Sequence, residues 1–97
     1  MHGSIWLFRG DAEALAARFD DMLAAIGSAS ITAMVVLKAD DGLLLIDTCP
    51  SQEAYAGFYF GADFDELLAA HGLPRPEHVA DAPVHAVISA GKVLAAA

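Results

Sequence analysis

Histidines are the first candidates for chemistry in this chain, because histidine is the side chain that normally changes charge near neutral pH. The sequence has four of them, His2, His71, His78 and His85. His85 interrupts an apolar run over residues 84–88 and needs a hydrogen-bonding partner if it is buried there. It is then either a general base or a core histidine held by a backbone carbonyl. His71 lies at a predicted helix end, where the helix dipole favours a cation, so it either caps that helix or takes part in catalysis.

A single carboxylate, Asp47, stands near the end of an otherwise aliphatic, strand-like stretch. By alternation it shares a face with Leu43, Leu45 and Cys49, and closure of that face would desolvate the carboxylate and raise its pKa. Such a carboxylate can remove a proton from an activated carbon. The alternative is an aspartate that caps the following turn. Cys49 has no basic neighbour in the sequence to lower its pKa, so we interpret it as a small buried apolar residue.

Aromatic side chains form two groups that are either core filling or the walls of a pocket for a flat apolar ligand. Trp6 and Phe8 alternate along the first predicted strand. Tyr55, Phe58 and Tyr59 recur at spacings of three and four, which places them on one stripe of a helix. These five aromatic residues are the predicted ligand-binding set. The predicted catalytic residues are His85, Asp47 and His71.

Metal and nucleotide chemistry have no support in the sequence. Three of the histidines recur every seven residues, but they fall on a predicted helix end, a loop and a strand. No H-x-H, H-E-x-x-H or C-x-x-C spacing occurs, and no glycine-rich phosphate loop follows a predicted strand. The sequence therefore predicts no metal site and no organic cofactor.

Composition excludes several classes of partner. The 97 residues carry a formal net charge of −8, from 13 acidic and 5 basic residues, so neither nucleic acid nor an anionic membrane surface is an expected partner. No apolar run approaches the roughly 20 residues of a membrane span. One cysteine, and a start without the pattern of a signal peptide, favour a cytoplasmic location. The length predicts a single domain over residues 1–97.

The elements that must position these residues follow the order β-α-β-β-α-β. Strands are predicted over residues 3–9, 31–38, 43–49 and 84–89, a helix over 12–26 capped by Asp11, and a second helical region from Ser51 to His71 that is broken between Gly57 and Gly61. The proline-rich residues 73–83 are predicted as an irregular connection, and residues 94–97 as a frayed tail. This order is the ferredoxin-like plan, an α+β domain with a four-stranded antiparallel sheet and two helices on one face.

The predicted strands are apolar at nearly every position rather than alternating, as over residues 43–46. Because successive side chains point to opposite faces of a sheet, such strands need cover on both faces, and two helices cover only one. A hydrophobic content of 57% agrees with a hidden surface, so we expect a homodimer. On strand one, we assign Ile5 and Leu7 to the helices. Trp6 and Phe8 then face the partner or a cavity, although the reverse assignment stays open.

The chain resembles the dimeric α/β-barrel superfamily in three features. These are the order of elements, an apolar first strand that begins at residue 3, and the segment 64–74 that closes the second helix. That superfamily includes antibiotic-biosynthesis monooxygenases, stress-responsive barrel proteins, muconolactone isomerase-like enzymes and polyketide cyclases. The resemblance implies two sheets that face each other across a dimer axis, with a pocket in each subunit between sheet and helices or at the barrel mouth. In the cyclase-like branch it implies active-site roles for His2 and for His71 or His78. Haem-degrading members place a proximal histidine late in the second helix, and residues 67–71 are similar to that segment, but the asparagine and the tryptophan that accompany it are missing.

Together these features predict a homodimer that encloses a mainly apolar pocket for a small apolar or aromatic ligand. As an enzyme it would be an oxygenase, isomerase or cyclase that acts on a phenolic or polyketide-like substrate without a cofactor. The alternatives are a non-catalytic binding or structural dimer of the same fold and, third, a haem-binding or haem-degrading protein. Convergence of His85, Asp47 and Tyr55 on one cavity would favour the enzyme.

Overall fold

The structure, a computed structural model, describes residues 1–29 and 31–96. Within them the elements are β1 His2–Arg9, α1 Ala12–Ile26, β2 Met34–Ala39, β3 Gly42–Cys49, α2 Gln52–Tyr59, α3 Ala62–Ala70, β4 Glu77–Pro83, β5 Ala86–Ser89 and β6 Lys92–Ala96. None of the helices in this part of the chain combines the length and the apolar composition needed to cross a membrane.

Strands β1 to β4 form one antiparallel sheet in the order β2-β3-β1-β4. Strand β1 lies inside the sheet and pairs with β3 on one side and with β4 on the other. Its residue Ser4 stands opposite both Asp47 and Asp81. The predicted α+β class with a four-stranded antiparallel sheet is therefore confirmed.

The helices begin where the sequence predicts. The Asp11 carboxylate accepts a hydrogen bond from the Ala14 amide at 2.9 Å, and the Ser51 hydroxyl accepts one from the Ala54 amide at 3.1 Å. Both side chains satisfy amides that have no partner inside the first helical turn. The second helical region is divided into α2 and α3 close to Gly61, as predicted, because the chain there passes very near the backbone of the preceding turn.

The helices cover the face of the sheet that carries the aromatic residues of β1. Trp6 and Phe8 are buried with side chains of α1, α2 and α3 in one core, whereas Ile5 and Leu7 lie on the opposite face. The assignment of Ile5 and Leu7 to the helices is therefore wrong, and the reverse assignment holds. Bulky rings fill the space between a sheet and its helices better than the smaller aliphatic side chains, since interiors pack to high density.

The fourth strand of the sheet is β4, in the segment that was predicted as an irregular connection. Residues 84–89, predicted as that strand, instead contribute β5, which pairs with β6 in a separate two-stranded sheet. An edge strand tolerates proline at its end and polar side chains along its length, so β4 lacks the apolar pattern of a central strand. The prediction of a frayed tail over residues 94–97 is also wrong for residues 94–96, which belong to β6. Ala97 lies outside the described residues.

Candidate functional site

Three polar side chains stand in one row across the sheet, on the face that the helices cover. Asp47 of β3 and Asp81 of β4 are both register partners of Ser4, which lies on β1 between them. Directly opposed residues of neighbouring antiparallel strands share a face. The row therefore runs beneath α2, whose Tyr55 and Tyr59 are one helical turn apart and reach down towards it.

At the β3 end of the row, a buried carboxylate is held by a tyrosine. The Tyr59 hydroxyl donates to Asp47 Oδ2 at 2.5 Å, and the Thr48 amide donates to Asp47 Oδ1 at 2.8 Å. Asp47 is only 7% exposed. Burial raises the pKa of Asp47, and the hydrogen bonds from Tyr59 and Thr48 oppose that shift without cancelling it. Burial and the neighbouring carboxylate also raise the pKa of Tyr59, so its hydroxyl keeps its proton.

A cavity of about 140 Å³ opens between the sheet and the helices at this end of the row. Its walls are mostly apolar, and Asp47, Thr48 and Tyr59 supply the polar atoms. The apolar wall residues include Phe8, Phe19, Met22, Leu23, Ile26, Leu45, Phe58 and Phe64. Since an apolar cavity of about 150 Å³ accepts benzene, this one has the size of a single aromatic ring.

Cys49 also lines this cavity, but its environment makes it a poor nucleophile. Its Sγ lies 3.9 Å from Asp47 Oδ2. Burial, with the nearby carboxylate, raises the pKa of Cys49 to about 11. The reactive form of cysteine is the thiolate, so at neutral pH this side chain is an inert thiol.

At the β4 end of the row, two histidines share the second carboxylate. His2 Nε2 donates to Asp81 Oδ1 at 2.6 Å, and His78 Nε2 donates to Asp81 Oδ2 at 2.6 Å. These hydrogen bonds, that of His2 first, hold the pKa of Asp81 below its usual range. His2 is buried, whereas His78 is exposed. In residues 1–29 and 31–96, no three His, Cys, Asp or Glu side chains are arranged to hold a metal ion.

Tyr55 is the unsatisfied member of the site. Its hydroxyl is buried and, among the described residues, makes no hydrogen bond of normal geometry. Burial raises the pKa of Tyr55 to about 12, and the nearby Asp81 carboxylate adds to the shift. Its ring packs on that of His2 with a centroid separation of 4.7 Å. A buried hydroxyl without a partner is unfavourable, so this group is available to a ligand or to water.

Trp6 connects the two ends of the row. Its indole N–H donates to the Ser4 hydroxyl at 3.0 Å. One side of the indole stacks on Tyr59 at 4.8 Å, with 17° between the planes, and its edge meets the His78 ring at 5.1 Å. The polar row therefore forms one continuous cluster under α2, with the cavity at one end and the exposed His78 at the other.

The structure brings together some of the predicted site residues and separates others. Asp47, Trp6, Tyr55 and Tyr59 meet under α2. Phe8 and Phe58 line the cavity, Phe8 fully buried and Phe58 partly exposed. His71 lies apart from them as the C-cap residue of α3.

His85 lies outside the site. It is exposed in the connection between β4 and β5, so its predicted place inside a buried strand is wrong. His85, Asp47 and Tyr55 therefore do not converge on one cavity. The reason is that residues 84–89 leave the main sheet instead of completing it.

Sequence reasoning missed Ser4 and Asp81 as members of the site. Ser4 shares the alternation of Trp6, which was the available signal. Asp81 lies in the segment that was predicted without regular structure, and its partner His2 is 79 positions away.

Comparisons with protein-family models, with curated proteins and with solved structures found no match to this chain.

Proposed function

We propose that this protein binds a small apolar ligand with one aromatic ring, of the phenol or enol type, in the cavity between the sheet and the helices. The observation that supports this is a desolvated carboxylate, Asp47, in the wall of a mostly apolar cavity of single-ring size. Ligand pockets typically combine apolar walls with a few fixed polar groups that orient the ligand. No cofactor is needed for this role.

The chemistry proposed for the site is proton transfer to Asp47. Asp47 Oδ2 accepts hydrogen bonds from the Tyr59 hydroxyl and, at longer distance, from the Cys49 thiol. Asp47 Oδ1 accepts one from the Thr48 amide and has room for another. A ligand hydroxyl, or a carbon next to a carbonyl, placed against it can give up a proton because the pKa of Asp47 is raised towards that of a useful base. This is the step that a cofactor-independent oxygenase, isomerase or cyclase requires.

A second candidate function is a binding dimer without catalysis. It is favoured by the position of His85, which leaves the cavity without the histidine expected there. In that case the hydrogen bond between Tyr59 and Asp47 is structural, and the two side chains only orient the ligand. Turnover of a bound phenol or polyketide-like compound separates the two candidates.

The ligand proposal is tested through Trp6, the single tryptophan, which stacks on Tyr59 and so reports on the cavity. Titration with single-ring phenols is expected to change its fluorescence in a saturable way. The Asp47→Asn variant should weaken phenol binding about tenfold, since it loses a charged acceptor. The matched control is Asp40→Asn, which removes the same charge at an exposed turn. Absence of any saturable change across the panel, with NMR shifts of the cavity residues also unmoved, would refute the proposal.

We further propose that the domain is a ferredoxin-like subunit of a homodimeric α/β barrel. The open face of the sheet, opposite the helices, supports this: it carries apolar side chains on every strand, and Val35 and Leu37 of β2 are 51% and 45% exposed. The charged residues of this face are Arg9 and Glu77, which form an ion pair at one corner of it. Arg9 Nε lies 2.8 Å from Glu77 Oε2. A chain of net charge −8 is expected to associate with itself through such an uncharged surface.

A further inference from the structure

The hairpin formed by β5 and β6 lacks the support that such an element needs. It turns through Ala90 and Gly91, both with positive φ, as in the tight turns that suit two-stranded hairpins. In the part of the chain that the structure describes, it forms its own sheet and is not paired with a strand of the four-stranded sheet. A two-stranded hairpin is marginally stable in water unless it packs on another surface.

Large apolar side chains of this hairpin are uncovered. Ile88 and Val93 are directly opposed in the ladder, so they share one side of the hairpin, and they are 66% and 63% exposed. Leu94 beside them is exposed as well. The described residues leave more than half of each of these three side chains exposed, which makes an apolar surface that a partner can cover.

The hairpin also lies next to one end of the open sheet face of its own chain. Val87 and Ile88 border a cleft of about 470 Å³ whose floor includes Gly3, Ile5 and Ile46. That end of the open face is therefore partly covered. The other end, which carries Leu37 and Leu44, does not line the cleft.

The charges on this side of the molecule favour a second copy of the same chain as the partner. The hairpin has one charged residue, Lys92, at its turn. Among the lysines and arginines of the described residues, only Lys92 makes neither an ion pair nor a side-chain hydrogen bond, in a chain with 13 acidic residues. In a two-fold dimer the same pair of surfaces meets twice, so a hairpin that lies on the other copy's face is matched by the reverse contact.

We propose that the β5–β6 hairpin docks on the open sheet face of a second copy, with Ile88 and Val93 against the end of the face that carries Leu37 and Leu44. This inference rests on the proposed dimer and specifies its contact. In this contact Ile88 and Val93, which are more than half exposed in the single chain, gain a packing surface. The open face gains cover at the end that its own hairpin does not reach.

The first experiment measures the dimer dissociation constant by sedimentation over a concentration series. The wild type is expected to reach about twice its mass of 10.1 kDa at micromolar concentration. Ile88→Asp with Val93→Asp, and separately Leu37→Asp, should each weaken the dimer at least about tenfold, since each places a charge in an apolar contact. Ala24→Asp adds the same charge on an exposed position of α1 and should leave the dimer unchanged.

The outcomes separate the two proposals. A hairpin variant that dimerises as tightly as the wild type, while Leu37→Asp dissociates, overturns the hairpin contact and leaves the dimer standing. A wild type that stays monomeric and folded overturns both. Because the aspartates could unfold the hairpin itself, a second measurement is needed.

That measurement uses disulfide formation between two proteins, Leu37→Cys and Ile88→Cys, each also carrying Cys49→Ser. The two are mixed, allowed to exchange subunits and oxidised mildly, and mass spectrometry identifies the linked peptides. A link between positions 37 and 88 is expected to dominate over the 37–37 and 88–88 links. Its absence in a mixture that sediments as a dimer contradicts the proposal.

Discussion

At the scale of single residues, two carboxylates of one row differ in their environment. Asp47 is buried with no cation beside it among the described residues, and its pKa is raised, chiefly by desolvation. Asp81 is held by His2 and His78, and its pKa is lowered by those hydrogen bonds. When the surroundings of two carboxyl groups move their pKa values apart, one becomes suited to take up a proton and the other stays ionised. In the proposed function, Asp47 is therefore the candidate base of the site, whereas Asp81 holds the two histidines by hydrogen bonds.

The two tyrosines of α2 are expected to respond differently to loss of the hydroxyl. Tyr59→Phe removes the donor to a buried carboxylate and should lower the free energy of unfolding by about 1–3 kcal/mol. Tyr55→Phe removes a buried hydroxyl that makes no hydrogen bond of normal geometry among the described residues, although Asp81 is near, and should cost less than Tyr59→Phe or nothing. Urea denaturation of both variants measures the contrast. Equal losses would show that Tyr55 is satisfied in solution.

The raised pKa of Asp47 predicts a pH dependence of stability. Because the folded-state pKa lies above the unfolded one, ionised Asp47 destabilises the fold at pH values above both. That cost disappears as the pH falls through the folded-state pKa towards the unfolded value of about 4. The Asp47→Asn variant lacks this titration.

Wild type should therefore gain stability relative to Asp47→Asn between neutral pH and about pH 4. Denaturation of both proteins over that pH range tests this expectation. A difference in free energy of unfolding that does not change with pH would contradict it.

At the scale of elements, the site depends on α2 lying across the sheet and ending before α3 turns away. The break brings the chain back against itself at Gly61, which has no side chain to obstruct the contact. This places Tyr55 and Tyr59 over the polar row while Phe64 and Leu68 of α3 join the core. A shift of this joint would move both tyrosines relative to the carboxylates.

Substitution of the two glycines near this break is expected to have opposite effects. A Cβ at Gly61 would lie 2.5 Å from the Gly57 carbonyl oxygen, so Gly61→Ala should destabilise the protein by about 1–3 kcal/mol. Gly57 lies inside α2 with open space around its Cα, so Gly57→Ala should stabilise by about 0.5–1 kcal/mol. Thermal unfolding of the pair checks the signs. A neutral Gly61→Ala variant would mean that the joint is not tightly packed.

At the scale of the whole molecule, apolar and charged surfaces are separated. The helix side carries most of the charge, including the exposed carboxylates of α1 and α3. The open face and the β5–β6 hairpin expose aliphatic side chains with few charges between them. Contiguous apolar surface of this kind marks an interaction site in a small protein. This separation is the basis of the proposed dimer and of the hairpin contact tested by sedimentation and disulfide formation.

Local features of the fold were predictable from the sequence alone. The N-caps Asp11 and Ser51, the helix α1 and the break before α3 all depend on residues within a few positions of one another. Capping, helical periodicity and chain reversal act over such short distances, so the sequence determines them directly. The helical stripe of Tyr55 and Tyr59 follows from the same local periodicity. The burial of Asp47 was expected only if its face of the sheet is closed, and the helices close that face.

Only the tertiary structure decided the rest. The cluster of His2, Asp81 and His78 brings together residues up to 79 positions apart. Strand β4 shows no strand-like apolar pattern because it lies at the edge of the sheet. Which face of β1 meets the helices, and whether residues 84–89 complete the sheet or leave it, depend on competing packing arrangements of the whole molecule. The same apolar residues are compatible with several such arrangements, so pattern alone does not choose among them.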